Sequence, residues 1–208
     1  MHTKTSFITF VTAAIAGFAF TNSSVEAQAY KVESTGPIFE DIPSPEFGLP
    51  FQKKFKPKDW LEIEAPLKVL MSPEPSSKTA ERIVVKWYVA VENPEKRRTY
   101  LLLTKDITHV NVPLNEEIFT SVYLSPASVK RLTGSDRGGK KAVNLVGFEV
   151  LANGEKIGQY TSGGKAGWWN VASSKISRSE SVPLLDKSMT PFANLWWDRY
   201  AEILDERP

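Results

Sequence analysis

The chain has 208 residues and carries 26 Lys and Arg against 24 Asp and Glu, a net charge of +2. So balanced a charge gives no broad field for nucleic acid. The lack of cysteine excludes disulfides, thiolate metal sites, a cysteine nucleophile and a lipid-attachment cysteine, so the fold has to stand on its core alone.

The first residues, "MHTK", are weakly basic, and an uncharged apolar run follows, "FITFVTAAIAGFAF" (Phe7–Phe20). "AQA" (Ala27–Ala29) then fits the small-residue rule for cleavage, with "VEA" (Val25–Ala27) as a rival site. That order describes a secretory signal peptide over residues 1–29; a retained anchor helix is the alternative. The apolar run is short for a membrane span of about 20 residues, and no later stretch is longer. The mature chain is expected to be exported, without a transmembrane segment, to the periplasm, the outer membrane or the cell surface.

Residues 30–58 hold Pro37, Pro43, Pro45, Pro50 and Pro57. Prolines at that density prevent a helix and discourage a central strand. They predict an extended tail or linker, in which "FGLPF" (Phe47–Phe51) is apolar enough to dock. Whether the tail adds a strand to its own sheet or to another molecule's stays open.

From Trp60 onward the apolar period is two. Leu61, Ile63, Ala65, Leu67, Val69 and Met71 alternate with polar residues, which predicts a half-buried strand. Pro66 within it argues for a sheet edge or a bulge. Arg82–Asn93 alternates likewise, with Trp87 on the core face. Thr99–Pro113 and Glu117–Ser125 read as further strands. "SPASVKRLTG" has a capping serine, a proline at the first helical position and a closing glycine, the marks of one or two helical turns. Ala142–Ser162 reads as a hairpin, because Asn153–Gly154 supplies the two positive φ angles of a two-residue turn. Gly163–Leu185 is less regular, with a further strand near Val182–Leu185.

Near the C-terminus, Thr190 suits an N-cap and Pro191 the first helical position. A helix over residues 191–205 would place Phe192, Leu195, Trp196, Tyr200 and Ile203 on one arc facing the sandwich. Ala193, Trp197, Ala201 and Leu204 would form the adjoining arc. That second arc is the candidate partner interface, unless the N-terminal tail or the Trp168–Trp169 loop covers it.

Six or seven short strands with no alternating helices predict a mainly β protein. The architecture expected is an immunoglobulin-like antiparallel β-sandwich over residues 59–208 with a C-terminal α-helix. A barrel is the rival.

Catalytic machinery is sparse. His109 is the one histidine outside the signal peptide and falls in a strand, where a satisfied structural role is expected. No serine stands in a nucleophile-elbow context, and one histidine without cysteine does not suit zinc. Glu62 and Glu64 share a strand face, and a paired-carboxylate hydrolase would need two such acids to converge. No catalytic, cofactor-binding or metal-binding set is assigned, and no cofactor is expected. The basic clusters "KKFKPK" (Lys53–Lys58), "EKRR" (Glu95–Arg98) and "KRLTGSDRGGKK" (Lys130–Lys141) are solvated loops or contacts for acidic glycan, anionic lipid or an acidic partner. In "GWWN" (Gly167–Asn170), Trp168 and Trp169 either fill a core or stack on sugar.

The segments "VYLSPASVKRLTG" and "VPLLDKSMTPFANLWWDRYAEI" resemble a family of exported immunoglobulin-like proteins of Verrucomicrobia, of the Akkermansia type, from about Trp60 to the C-terminus. That family is associated with type IV pilus assembly genes. The resemblance implies a non-enzymatic structural or interaction protein of the cell envelope whose partners are other envelope or pilus-assembly proteins. It carries over no site residues. The chain lacks the long apolar N-terminal helix of a major pilin, which speaks against that role. A mucin-type glycan-binding module is the alternative, and a carboxylate hydrolase the third reading.

Overall fold

The computed structural model describes residues 29–46, 48 and 56–204. The expected signal peptide, apart from Ala29, lies outside the described residues, as does most of "FGLPF".

Two half-strands open the fold, β1 (Ala29–Glu33) and β2 (Ile38–Pro43). Both pair antiparallel with the long β3 (Asp59–Ser72), β1 along its second half and β2 along its first. Together they form one interrupted edge strand whose register slips by one residue across the break. The break holds Gly36, at φ +94, and Pro37. The first part of the segment expected to be a tail, through Pro43, therefore supplies strands to the chain's own sheet. Pro66, expected at a sheet edge or a bulge, sits at a local edge within a strand that is otherwise paired on both flanks. It falls in the stretch of β3 that neither half-strand covers, so the sheet asks no donor of it on that flank.

The next strands are β4 (Thr79–Glu92), β5 (Tyr100–Pro113) and β6 (Glu117–Leu124). A short helix, α1 (Pro126–Thr133), is capped by the Ser125 hydroxyl accepting from the Ser128 N–H, and Gly134 ends it at φ 73. This is the one α-helix among the described residues. Then come β7 (Val143–Ala152), β8 (Glu155–Thr161) and the short β9 (Ile176–Arg178), β10 (Leu185–Asp186) and β11 (Glu202–Ile203). Asn153 and Gly154 take φ 50 and 81 at the hairpin turn, as their residue types demanded.

One sheet runs β1-β3-β6-β10 with β2 also on β3; the other runs β11-β5-β4-β7-β8 with β9 also on β5. The named strands pair antiparallel except β5 with β9, and the isolated bridges Val69–Leu114 and Phe119–Tyr200 are also parallel. The period-two residues meet between the sheets: Leu61, Ile63, Ala65, Leu67 and Val69 from β3 oppose Val85, Trp87, Val89 and Val91 from β4, all fully buried. Trp87 lies 4.9 Å from Phe148, and Phe148 stacks on Tyr160 at 5.2 Å. Tyr160 donates to the Val32 carbonyl at 2.8 Å, which ties β8 of one sheet to β1 of the other. The protein is an immunoglobulin-like β-sandwich.

Candidate interaction site

The segment after β10 takes the chain from the β6 side of one sheet to the β5 edge of the other. β10 pairs with β6 at Tyr123, and Asp186 forms an ion pair with Lys105 of β5 at 2.9 Å. Burial raises the Asp186 carboxyl, but hydrogen bonds from Ser188 and Lys105 outweigh it and hold the group below its ordinary range. At the far end β11 pairs with β5 at His109 and Val110.

The α-helix expected over residues 191–205 does not form. Thr190 caps a turn instead, its hydroxyl accepting from the Phe192 N–H at 3.2 Å. Isolated turns follow, then a 3-10 turn at Trp197–Arg199 and β11. The cause is Lys187, only 4% exposed. Its ammonium donates to the carbonyls of Phe192 (2.7 Å), Ala193 (3.4 Å) and Leu195. Those are carbonyls that a helix would give to its own N–H groups four residues on. Trp196 at φ 53 breaks any helical run outright. An extended path also covers more distance per residue than the 1.5 Å rise of a helix, and the segment has two sheets to join.

Beneath this segment lies a polar floor on the outer face of β3 and β6. Tyr123 donates to Glu62 at 2.6 Å and accepts from Ser121 at 3.2 Å. Arg199 and Tyr200 each donate to Glu64 at 2.8 Å, and the Arg199 guanidinium lies 3.7 Å over the Phe119 ring. Lys187 sits 4.6 Å over the Tyr200 ring. Burial pushes the Glu62 carboxyl up, with the Tyr123 hydrogen bond acting against it. Burial pushes the Lys187 ammonium down. The Tyr200 hydroxyl is driven above its ordinary range by burial and then by the neighbouring carboxylates. Glu62 and Glu64 thus lie on one face, but they bind the chain's own phenols and guanidinium beneath the C-terminal segment.

Both tryptophans of the segment face outward. Trp196 is 56% exposed, although its ring stacks on Phe192 at 6.4 Å, and Trp197 is 60% exposed. The expectation that Trp196 faces the sandwich is therefore corrected; Phe192 takes that place, between Trp60 at 5.7 Å and Tyr123 at 5.5 Å. Beside Trp197 opens a cavity of ≈ 190 Å³ walled by Ala193, Tyr200, Ala201 and Ile203, with the polar residues Lys187, Ser188, Asn194 and Glu202 also lining it. Of the four interface candidates, Ala193, Trp197 and Ala201 share this cavity without a helix to align them. Leu204 is exposed, and its N–H donates to Thr108 rather than following a helical ladder.

Two sequence-level candidates end up inside. His109 is buried; its Nδ1 lies 3.3 Å from the Ala201 carbonyl and its Nε2 2.9 Å from the Thr120 hydroxyl. A carbonyl only accepts, so Nδ1 carries the proton and Nε2 accepts from threonine. Burial pushes the imidazole down to about 4, and the neutral ring pins β5, β6 and the C-terminal segment together.

Trp168 and Trp169 are 9% and 5% exposed, so the sugar-stacking assignment is corrected. Trp169 lies flat on Tyr88 at 4.8 Å, and Trp168 meets Trp169 edge-on at 5.5 Å and donates to Thr161. With Ala90, Leu102 and Leu145 they form a second small core on the outer face of the β5-β4-β7 sheet. Gly147 makes room for it: a Cβ there would stand 2.2 Å from Trp169 Cζ3. They do not cover Trp197. The sequence signal for this packing was the glycine inside a strand, which marks close approach of another group.

A protein-family profile matches residues 23–207. Three solved chains match. One of them, a crystal structure from Akkermansia muciniphila, is 38% identical with a TM-score of 0.81, and the match covers 87% of this chain and 95% of that one. No curated protein matches. A profile match over most of the chain and a shared fold at that identity place it: the chain belongs to the immunoglobulin-like protein family of Verrucomicrobia represented by the Akkermansia muciniphila structure.

Proposed function

We propose that the protein is an exported, non-enzymatic interaction protein of the bacterial cell envelope, associated with type IV pilus assembly. It engages a protein partner through the turn that carries Trp196 and Trp197. The observation that supports this reading is the pair of large aromatic side chains, 56% and 60% exposed, next to a largely apolar cavity. Exposed aromatic anchors beside a pocket are where binding energy concentrates in protein interfaces. The rigid support beneath them agrees with this role: Lys187, Glu62 and Glu64 fix the turn from inside, so little order has to be gained on docking. The pilus association rests on the family resemblance. Export rests on the N-terminal sequence; among the described residues no helix is long and apolar enough to cross a membrane.

Crosslinking in the intact envelope, followed by purification and mass spectrometry of the neighbours, tests the reading. Pilus-assembly components crosslinked to the wild type and lost from Trp197→Ser are the expected outcome. Neighbours unchanged by Trp197→Ser would move the interface elsewhere. Recovery with glycan and no protein neighbour would overturn the proposal.

A further inference from the structure

The overall charge of +2 conceals a polar molecule. Residues 93–99 and 126–142 hold eight Lys and Arg against two acids, which leaves 18 basic and 22 acidic residues elsewhere. These two segments are far apart in sequence and adjacent in space. The 93–99 loop joins β4 to β5 where Val91 of β4 pairs with Val143 at the start of β7. The 126–142 segment crosses between the sheets at that same end. Arg131 fastens the pieces, donating to the Ser181 carbonyl at 3.1 Å and lying 3.9 Å from Glu95. The third basic stretch also emerges there: Leu124, the last residue of β6, pairs with Leu61 just past the connection that contributes Lys56 and Lys58. Three clusters separate in the chain thus converge on one end of the sandwich.

Much of this charge is not consumed internally. Lys130 pairs with Asp136 at 3.5 Å and Lys140 with Glu40 at 2.7 Å. Lys96, Arg97, Arg98, Arg137 and Lys141 are exposed, and among the described residues none of them has a carboxylate within 4.0 Å. The cations stand on separate connections at one end of the sandwich. Short, internally braced loops, with Gly138 at φ 81 and Gly134 at φ 73, keep them at the tip.

We infer that this end of the sandwich docks on a membrane surface bearing anionic lipid, through delocalised attraction between the loop cations and the headgroups. Each Lys or Arg near such a surface contributes about 1 kcal/mol, a ~5-fold change in partitioning, and the effect fades within a Debye length. The surface differs from the Trp196–Trp197 turn, so an envelope protein could hold lipid and a protein partner at once.

The test is sedimentation of the purified mature chain with phosphatidylcholine vesicles, with or without phosphatidylglycerol, at low and high salt. Binding should require phosphatidylglycerol and fall steeply with salt. The triple variant Lys96→Ala, Arg97→Ala, Lys141→Ala should partition roughly 100-fold more weakly. The triple variant Lys31→Ala, Lys78→Ala, Lys156→Ala has the same net charge and should stay within about 3-fold of wild type, because its effect is not local to the tip. Equal losses in the two variants, or no dependence on phosphatidylglycerol, overturns the inference. Retention on a sulfated polysaccharide without vesicle binding also overturns it and assigns the tip to acidic glycan.

Discussion

Acid should weaken this fold in a window set by His109. The folded imidazole is pushed down to about 4 by burial, while an unfolded chain would hold it near its ordinary value of 6.5. Between those values the unfolded chain binds the proton and the folded one does not. The stabilisation is therefore complete above pH 6.5 and is lost as the pH falls toward 4. At 1.36 kcal/mol per pH unit, this amounts to about 2.5 kcal/mol by pH 4.5. The raised Glu62 carboxyl acts in the opposite sense, stabilising at low pH and ceasing to do so as the pH rises above its ordinary range. Wild type must therefore be compared with His109→Gln, which shares every other titrating group. Urea unfolding followed by tryptophan fluorescence at pH 7.5, 6.0 and 4.5 gives the two stabilities. His109→Gln should be the weaker protein at pH 7.5, for want of the two imidazole hydrogen bonds, and the gap should narrow by about 2.5 kcal/mol at pH 4.5. A gap that stays constant across the range refutes the reasoning, as would an NMR titration of His109 with a midpoint near 6.5.

The two adjacent tryptophan pairs should behave in opposite ways: Trp169→Ala should cost about 3–5 kcal/mol in urea unfolding, and Trp197→Ala should stay within about 0.5 kcal/mol. Gly147→Ala should destabilise by about 1–3 kcal/mol, since the added methyl meets the Trp169 ring; a neutral result would mean the ring can move aside. Lys187→Met removes the donor to three carbonyls and should cost about 3 kcal/mol. Hydrogen exchange should then show the amides of Leu195–Leu204 losing protection before the β4 and β7 amides, and uniform loss across the fold would disprove a local latch.

The strands were readable because one sheet face after another is half-buried, and burial on one face imposes a period of two on Leu61–Val69 and Ile83–Val91. The Asn153–Gly154 turn and the caps of α1 were readable because they depend on local backbone angles. The C-terminal segment was not. Its apolar arc and the Thr190–Pro191 cap satisfy every local rule for a helix. Lys187, which in sequence looks like a surface charge, overrides them by taking the carbonyls from inside. The same misreading placed Trp196 inward, yet three of the four interface candidates still meet at one cavity, since the exposed aromatic was legible even where its backbone was not. Trp168 and Trp169 carried no local mark of burial apart from a glycine 22 residues before the second of them. The prolines of residues 30–58 argued against a helix, and the chain is extended at β1 and β2, but they could not say which strand it would lie against.

The last seam of the sandwich is closed by the last residues described. Until Glu202 and Ile203 lie on β5, the flank of β5 at His109 and Val110 has no partner there. The His109 proton likewise has no carbonyl to meet until Ala201 is in place. Release of Ala201–Ile203 alone would leave the strands of both sheets paired and the polar joint undone. The seam along β5 is thus a joint chemically separate from the burial of the core, and a copy in which it has opened is distinguishable, by an accessible imidazole and an open strand edge, from one in which it is closed.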